Sequence, residues 1–339
     1  MSNLVLFGLN SPELYAKSVA WHLDMVLSDN TCSNFIDGET YVKSNVNVRG
    51  CDVYIISGLY SDKKFSINDR LISLLWFIGS LKDASAKRIT TIVPYLGYSK
   101  QDRKTESRAP ITTKYLAMVF ESVGLDRLLT IDVHNLAAFQ NSFRIPADNL
   151  DVTKLYSEYL YSGDNEISKV ILDNPEDLVI LSPDIGGMSR CSKFQSYLSQ
   201  KLKVDIPLAI FDKRRIKIDN STQSILEGEN IIGNVAGKKV IIYDDMISTG
   251  GTISKAVESV IKKNGEILAV CASHGVFVGD YEEKLKNVPS IIVTDSLPTE
   301  NLSATFRSKL LVVNTSRLVA QCVKRTHEEG GSISDLLKG

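Results

Sequence analysis

What most constrains this chain of 339 residues is an alternation of short, mostly apolar runs with longer stretches that read as helices. Runs so short, bounded by turn residues, suit strands buried on both faces. They are expected at 4–7, 51–57, 88–93 and 127–133, with helices at 71–81 and 112–123, the second closed by Gly124. Ser11, Pro12 and Glu13 read as a serine cap with proline in the first helical turn. After residues 143–146 the order returns, with helices at 152–160 and 253–263 and strands at 178–181, 208–211, 239–243 and 267–272. Strand and helix in alternation predict a parallel sheet covered by helices on both faces. The expected fold is α/β, with two similar units in tandem, and a chain of this length favours two domains over one.

Composition removes some classes of function. With 43% apolar residues the chain can fill two cores. Its 39 Lys plus Arg balance 40 Asp plus Glu, so neither nucleic acid nor an anionic membrane is expected as a partner. No apolar run approaches the roughly 20 residues of a membrane helix. The first residues lack a basic segment followed by a long apolar one, so a cytoplasmic location is expected. Cys32, Cys51, Cys191, Cys271 and Cys322 are scattered and form no CxxC element, as expected of buried, reduced thiols.

The strand expected at 239–243 ends in Asp244 and Asp245, followed by Met246, Ile247, Ser248, Thr249, Gly250, Gly251 and Thr252. Behind them Ile253, Ala256, Val257, Val260 and Ile261 keep a helical period. Ligands of open α/β sheets bind beyond the carboxyl ends of strands. A turn of glycines and hydroxyl residues there leaves backbone N–H groups free at a helix N-terminus, which suits a phosphate. Adjacent carboxylates would repel that phosphate, so they fit another part of the ligand, such as vicinal sugar hydroxyls. The blander alternative is that the acids only cap the helix. A Walker loop is excluded because no Gly-Lys-Ser/Thr follows.

Other segments are weaker alone. Phe35, Asp37 and Glu39 join an aromatic face to two acids, as an adenine requires, although Asp37-Gly38 is equally a plain β-turn. Lys100, Arg103 and Lys104, with Arg108 behind, suit a triphosphate or a solvated charged loop. His134 is expected at a strand end and Asp184 before Gly186 and Gly187, positions that are often structural. Lys213, Arg214 and Arg215 open a polar stretch, 216–229, expected to be a long loop.

Taken in order, these stretches resemble ribose-phosphate pyrophosphokinases. The string from Val240 to Thr252 is similar to the signature shared by proteins that bind 5-phosphoribosyl 1-pyrophosphate. The stretches 93–104, 107–111, 130–134, 181–190 and 211–215 are similar to elements of the pyrophosphokinase family, and ordinary phosphoribosyltransferases lack the whole ordered set. The resemblance implies two phosphoribosyltransferase-like domains, 1–147 with ATP-binding elements and 148–339 with the ribose 5-phosphate loop and a flexible catalytic loop. The closing segment, 312–339, matches the family's last helix only loosely, and such a helix can pack back on the first domain.

By the same resemblance Asp244 and Asp245 hold the ribose hydroxyls, and Ser248, Thr249, Gly250, Gly251 and Thr252 cradle the 5-phosphate. Phe35, Asp37, Glu39, Lys100, Gln101, Asp102 and Arg103 bind ATP, and His134 and Asp184 coordinate Mg²⁺. Lys213 and Arg215 stabilise the transferred group. The implied reaction is attack by the 1-hydroxyl of ribose 5-phosphate on the β-phosphorus of ATP, forming 5-phosphoribosyl 1-pyrophosphate for nucleotide biosynthesis and releasing AMP. Homo-oligomers built from dimers, hexamers among them, are implied as well. Two departures stand out: Ser248 where many members have Asp, and Lys100 where Arg is usual, which keeps the charge but loses the guanidinium fork. They leave open a catalytically silent regulatory homologue, while a phosphoribosyltransferase is the more distant alternative.

Overall fold

The computed structural model describes residues 3–213, 229–328, 331–333 and 336. They divide into two compact units, one comprising 1–151, 295–298 and 314–339 and the other 152–294 and 299–313. The first unit opens with β1 (Leu4–Leu9), α1 (Glu13–His22), β2 (Asn30–Asn34), β3 (Thr40–Ser44) and β4 (Asp52–Ser57). It continues with α2 (Ile67–Asp83), β5 (Arg88–Val93), α3 (Thr112–Ser122), β6 (Arg127–Ile131), α4 (Leu136–Ser142) and β7 (Ala147–Leu150). Its five-stranded sheet is parallel throughout, in the order β1-β4-β5-β6-β7, and β2 and β3 form a separate hairpin.

Local chemistry accounts for most of these elements. Every residue of β4 is buried: Val53 to Ile56 form its apolar run, and Asp52 is buried with Arg88 and His327 as partners. Helix α2 starts at a reciprocal capping box, in which the Ser66 hydroxyl accepts from Asp69 N and the Asp69 carboxylate accepts from Ser66 N. Its Leu74, Phe77, Ile78 and Leu81 enter the core, where Phe77 meets Phe7 edge to face at 5.1 Å. Ser11 does not cap α1. Extended Pro12 (ψ 119°) holds the N-cap position and makes no side-chain capping bond, because its ring has nothing to accept with. The strand expected to reach His134 stops at Ile131, since Asp132 turns to φ +40° and donates its N–H to Leu150 O, closing the ladder with β7.

The second unit holds α5 (Thr153–Tyr161), α6 (Glu166–Asp173), β8 (Leu178–Ser182), α7 (Met188–Leu202), β9 (Leu208–Lys213), β10 (Glu229–Ile232) and β11 (Lys239–Ile247). Then follow α8 (Gly251–Lys262), β12 (Glu266–Gly275), α9 (Tyr281–Lys284), β13 (Ile291–Thr294), α10 (Ala304–Arg307) and β14 (Leu310–Val313). The sheet runs β10-β9-β8-β11-β12-β13-β14 and is parallel except where β10 meets β9. Strand β11 outlasts the apolar run that announced it. It pairs with the equally long β12 as far as Ile247 and Gly275, which takes Asp244 and Asp245 into the strand.

The last helix, α11 (Ser316–His327), belongs to the first unit and packs on α1. Tyr15 OH meets Thr315 Oγ1 at 3.0 Å, and Ser18 Oγ meets Ser316 Oγ at 2.7 Å. At its far end Thr326 Oγ1 bonds Tyr54 OH, Arg88 donates to Thr326 O at 2.7 Å, and His327 Nδ1 lies 2.7 Å from Asp52 Oδ2. The first unit runs through Asp151 because β7 is the edge strand of its sheet, so a division between 147 and 148 would cut that strand. All five cysteines are free thiols. Cys191, Cys271 and Cys322 are buried, whereas Cys32 and Cys51, on the hairpin and at the entry to β4, are partly exposed. Among the described residues no helix is long and apolar enough to cross a membrane.

Candidate active site

Between β11 and α8 the chain turns through Ser248, Thr249 and Gly250. Gly250 is the N-cap of α8 with φ +76°, a left-handed conformation that disfavours any side chain, and a Cβ there would lie 3.0 Å from Leu285 Cγ. A glycine cap brings no side-chain oxygen to the head of the helix, where backbone N–H groups and the helix dipole favour an anion. The turn is fastened from outside by Val278 N, which donates to Ser248 O at 3.1 Å, and Ser254 N starts the helical ladder on Gly250 O at 2.8 Å.

Beneath this turn Asp244 and Asp245 are drawn together. Asp245 N donates to Asp244 Oδ1 at 2.8 Å, and Arg190 Nη1 stands 3.8 Å from Asp244 Oδ1 and 3.7 Å from Asp245 Oδ1. Burial, and then the neighbouring Asp245, push the Asp244 carboxyl well above the ordinary carboxylate range, while Arg190 opposes both. A ligand with two adjacent hydroxyls can satisfy acids so confined in the last residues of a strand. Arg190 was in view as the last residue of the 181–190 stretch, but nothing in its spacing pointed to the carboxylates.

Asp184 lies in the turn from β8 to α7, where its Oδ1 accepts from Gly187 N at 2.9 Å and Ser182 Oγ donates to Asp184 O at 2.7 Å. Side chains at the glycines would crowd this turn: a Cβ on Gly187 would sit 2.9 Å from Ser182 Oγ, and one on Gly186 would sit 3.3 Å from Asp184 Oδ1. The Asp184 side chain is exposed.

In the first unit, Phe35, Asp37 and Glu39 occupy the tip of the β2–β3 hairpin. The tip is a tight turn in which Gly38 N donates to Phe35 O and Phe35 N to Glu39 O. Asp37 Oδ1 accepts from Glu39 N at 3.1 Å, so that acid helps build the turn. The Phe35 ring is 57% exposed and touches Tyr41 edge-on at 5.8 Å. Glu39 also lines a cleft of about 490 Å³ with Gly38, Thr40, Asn68, Asp69, Ile72 and Trp76.

The basic segment Lys100, Gln101, Asp102 and Arg103 follows β5 as an irregular loop, with Lys100, Gln101 and Arg103 exposed. Thr113 Oγ1 donates to Ser99 O and Gln101 O, each at 3.4 Å. Asp102 Oδ2 accepts from Asn135 Nδ2 at 2.6 Å, so the basic loop and the exposed His134 lie side by side in one unit. Glu39, Lys100 and His134 are thus carried by the first unit, and Asp184 and the Asp244-to-Thr252 turn by the second. Lys213 ends β9 with its side chain outside the described residues, and Arg215 and the polar stretch after it also lie outside them, apart from the backbone of Glu229.

Residues 4–124 match the N-terminal domain of ribose phosphate pyrophosphokinase, and residues 157–299 match the phosphoribosyl transferase domain. A ribose-phosphate pyrophosphokinase of Vibrio parahaemolyticus is 38% identical over 333 residues, covering 97% of this chain and 98% of that protein. One from Oceanobacillus iheyensis is 35% identical over 329 residues, covering 96% of this chain and 95% of its own length. The chain belongs to the ribose-phosphate pyrophosphokinase family. A solved phosphoribosylpyrophosphate synthetase from Mycobacterium smegmatis has the same fold, with a TM-score of 0.82 and 30% identity over 97% of this chain and 100% of that one.

Among the described residues no three His, Cys, Asp or Glu side chains gather into a metal cage. An exposed carboxylate such as Asp184 still fits Mg²⁺, which keeps several waters and is commonly held by one or two carboxylates plus substrate phosphates. Imidazole is a less usual donor to so hard an ion, so His134 fits it less well.

Proposed function

We propose that the chain makes 5-phosphoribosyl 1-pyrophosphate from ribose 5-phosphate and ATP and releases AMP, as a step of nucleotide biosynthesis. The observation that carries this reading is the adjacent pair of half-buried Asp244 and buried Asp245, faced by Arg190 at 3.8 and 3.7 Å, in the strand that leads to a helix capped by glycine. On this reading the turn Ser248, Thr249, Gly250, Gly251 and Thr252 takes the 5-phosphate on backbone N–H groups and hydroxyls. Asp244 and Asp245 accept from the ribose hydroxyls and so fix the ring, which leaves the 1-hydroxyl as the nucleophile.

Phe35 offers its exposed face to the adenine, with Asp37 and Glu39 as acceptors for the exocyclic amine. Lys100 and Arg103 neutralise the triphosphate, with Gln101 and Asp102 in the same segment. Lys213 and Arg215 stabilise charge that develops on the moving pyrophosphoryl group. Transfer of this kind needs in-line positioning and charge neutralisation more than covalent help. Mg²⁺ would be held with the nucleotide phosphates by Asp184 and His134, and its chemistry there is neutralisation of phosphate oxygens. We assign ATP and ribose 5-phosphate as substrates, a homo-oligomer as the assembly and the cytoplasm as the location.

The test is incubation with ribose 5-phosphate, Mg²⁺ and ATP labelled at the γ-phosphate. Label in a phosphoribosyl product together with AMP is the expected outcome. ATP binding with no AMP released would overturn the reading and leave a silent regulatory homologue in its place.

A further inference from the structure

The geometry points to Asn135 as a positioning residue that locks the nucleotide's basic loop to the loop carrying His134. The inference rests on the reading of residues 100–103 as nucleotide-binding. Asn135 is the N-cap of α4, and its Oδ1 accepts from Ala138 N at 3.0 Å. The same amide donates from Nδ2 to Asp102 Oδ2 at 2.6 Å, a short bond to an ionisable acceptor. Capping alone is satisfied equally well by Ser or Asp. Serine carries one polar atom on a shorter side chain and cannot cap and also span to Asp102. Aspartate has no donor when ionised and would set a second carboxylate against the first. Only an amide performs both tasks here.

The lock is braced on both sides. Asp132 turns the chain at φ +40°, and Val133 N donates to Asn149 Oδ1 at 2.8 Å, so His134 lies between a pin at 133 and another at 135. On the opposite side Thr113 Oγ1 holds the backbone of the basic loop at Ser99 and Gln101. Asp102 then serves the nucleotide through its neighbours: its Oδ2 is committed to Asn135, and what that bond fixes is the backbone that presents Lys100, Gln101 and Arg103. This refines the ATP-contact role that the resemblance implies for Asp102.

Two variants separate the lock from the cap. Asn135→Ser keeps the cap and loses the bond to Asp102, and Asn135→Asp keeps the cap and adds repulsion. Asn135→Ser should raise KM for ATP about ten-fold, equivalent to roughly 1.4 kcal/mol, near the lower end for a hydrogen bond to a charged group. KM for ribose 5-phosphate should stay at its wild-type value. Asn135→Asp should raise KM for ATP further. A wild-type KM for ATP in Asn135→Ser, or an equal rise in both KM values, overturns the inference. Should the wild-type protein release no AMP, the proposed activity fails instead, and calorimetry of ATP binding then reads the lock on the same variants. About a ten-fold weaker Kd in Asn135→Ser upholds it; an unchanged Kd, or no ATP binding by the wild-type protein, overturns it.

Discussion

Gly250→Ala tests whether the turn at the head of α8 is held in the shape described. Two costs add. Gly250 has φ +76°, and an L-residue held in that left-handed region loses about 1–2 kcal/mol. A Cβ at this position would lie 3.0 Å from Leu285 Cγ and 3.1 Å from Cδ2. Leu285 is fully buried and has little room to turn away, so overpacking adds about 1–2 kcal/mol. The expected loss is therefore ~2–4 kcal/mol, confined to the second unit.

Both tryptophans, Trp21 and Trp76, lie in the first unit, so their fluorescence does not report this loss directly. Far-UV circular dichroism in urea does, and with an m-value of about 1–3 kcal/mol/M the midpoint of the affected transition should fall by about 1–2 M. Gly251→Ala is the control. Gly251 does not have a positive φ, and its added Cβ would meet nothing nearer than Thr249 Oγ1 at 3.8 Å. It should be neutral, or stabilising by about 0.5 kcal/mol as alanine replaces glycine in a helix. Coincident urea transitions for Gly250→Ala, Gly251→Ala and wild type would refute the reasoning.

Asp244→Asn should raise the melting temperature at neutral pH while removing ribose 5-phosphate binding. The folded-state pKa of Asp244 is raised, so its contribution to stability is complete below the unfolded carboxyl value and is lost as pH rises through the folded one. The advantage of the neutral amide must therefore shrink as the solution is acidified, and an advantage that grows toward acid would contradict the assignment. Arg88→Met removes a partner bonded to Asp52 through Nε at 2.7 Å and to Thr326 O at 2.7 Å, with its side chain 34% exposed. The expected cost is about 2 kcal/mol, between exposed and buried ion pairs. Tryptophan fluorescence in urea reads it, and an unmoved transition would count against the α11 anchor. Lys213→Ala should slow turnover by about 100-fold or more, with ribose 5-phosphate affinity by calorimetry unchanged; full turnover would take Lys213 out of the mechanism.

What the sequence revealed followed how local each cause is. Strand β5 is expected at 88–93 and observed there, because Ile89, Thr90, Thr91, Ile92 and Val93 are all β-branched and apolar enough to be buried on both faces. Strand β11 was read to 243 but continues to Ile247, because its last residues are held by pairing with β12 and the acids hide the strand. Polar β7, with the sequence Ala-Asp-Asn-Leu, gave no signal at all, since its place depends on β6. Strands β13 and β14 are four-residue runs like the one expected at 178–181, but they lie beyond 267–272, the last element expected from the alternation. In the site, the glycine and hydroxyl turn was legible because backbone geometry demands those residue types. Arg190 beside the acids and Asn135 beside Asp102 were not, because each meets its partner only through the fold.

The return of the chain to its starting unit matters during synthesis. Tyr15, Ala16, Val19 and Ala20 are buried in α1, and α11, which packs on that helix, begins at Ser316. At about 5–20 residues per second a ribosome takes on the order of ten seconds to travel from Asp151 to Asn314. Throughout that interval the nascent N-terminal unit keeps the α11-facing side of α1 uncovered, and the phosphate-turn unit can close as soon as Val313 emerges. The half of the protein translated first is thus the half finished last. Lesions near the 3′ end of the coding sequence should register as solubility defects of residues made at the 5′ end, and a chaperone that shields the α1 face should be needed longest there.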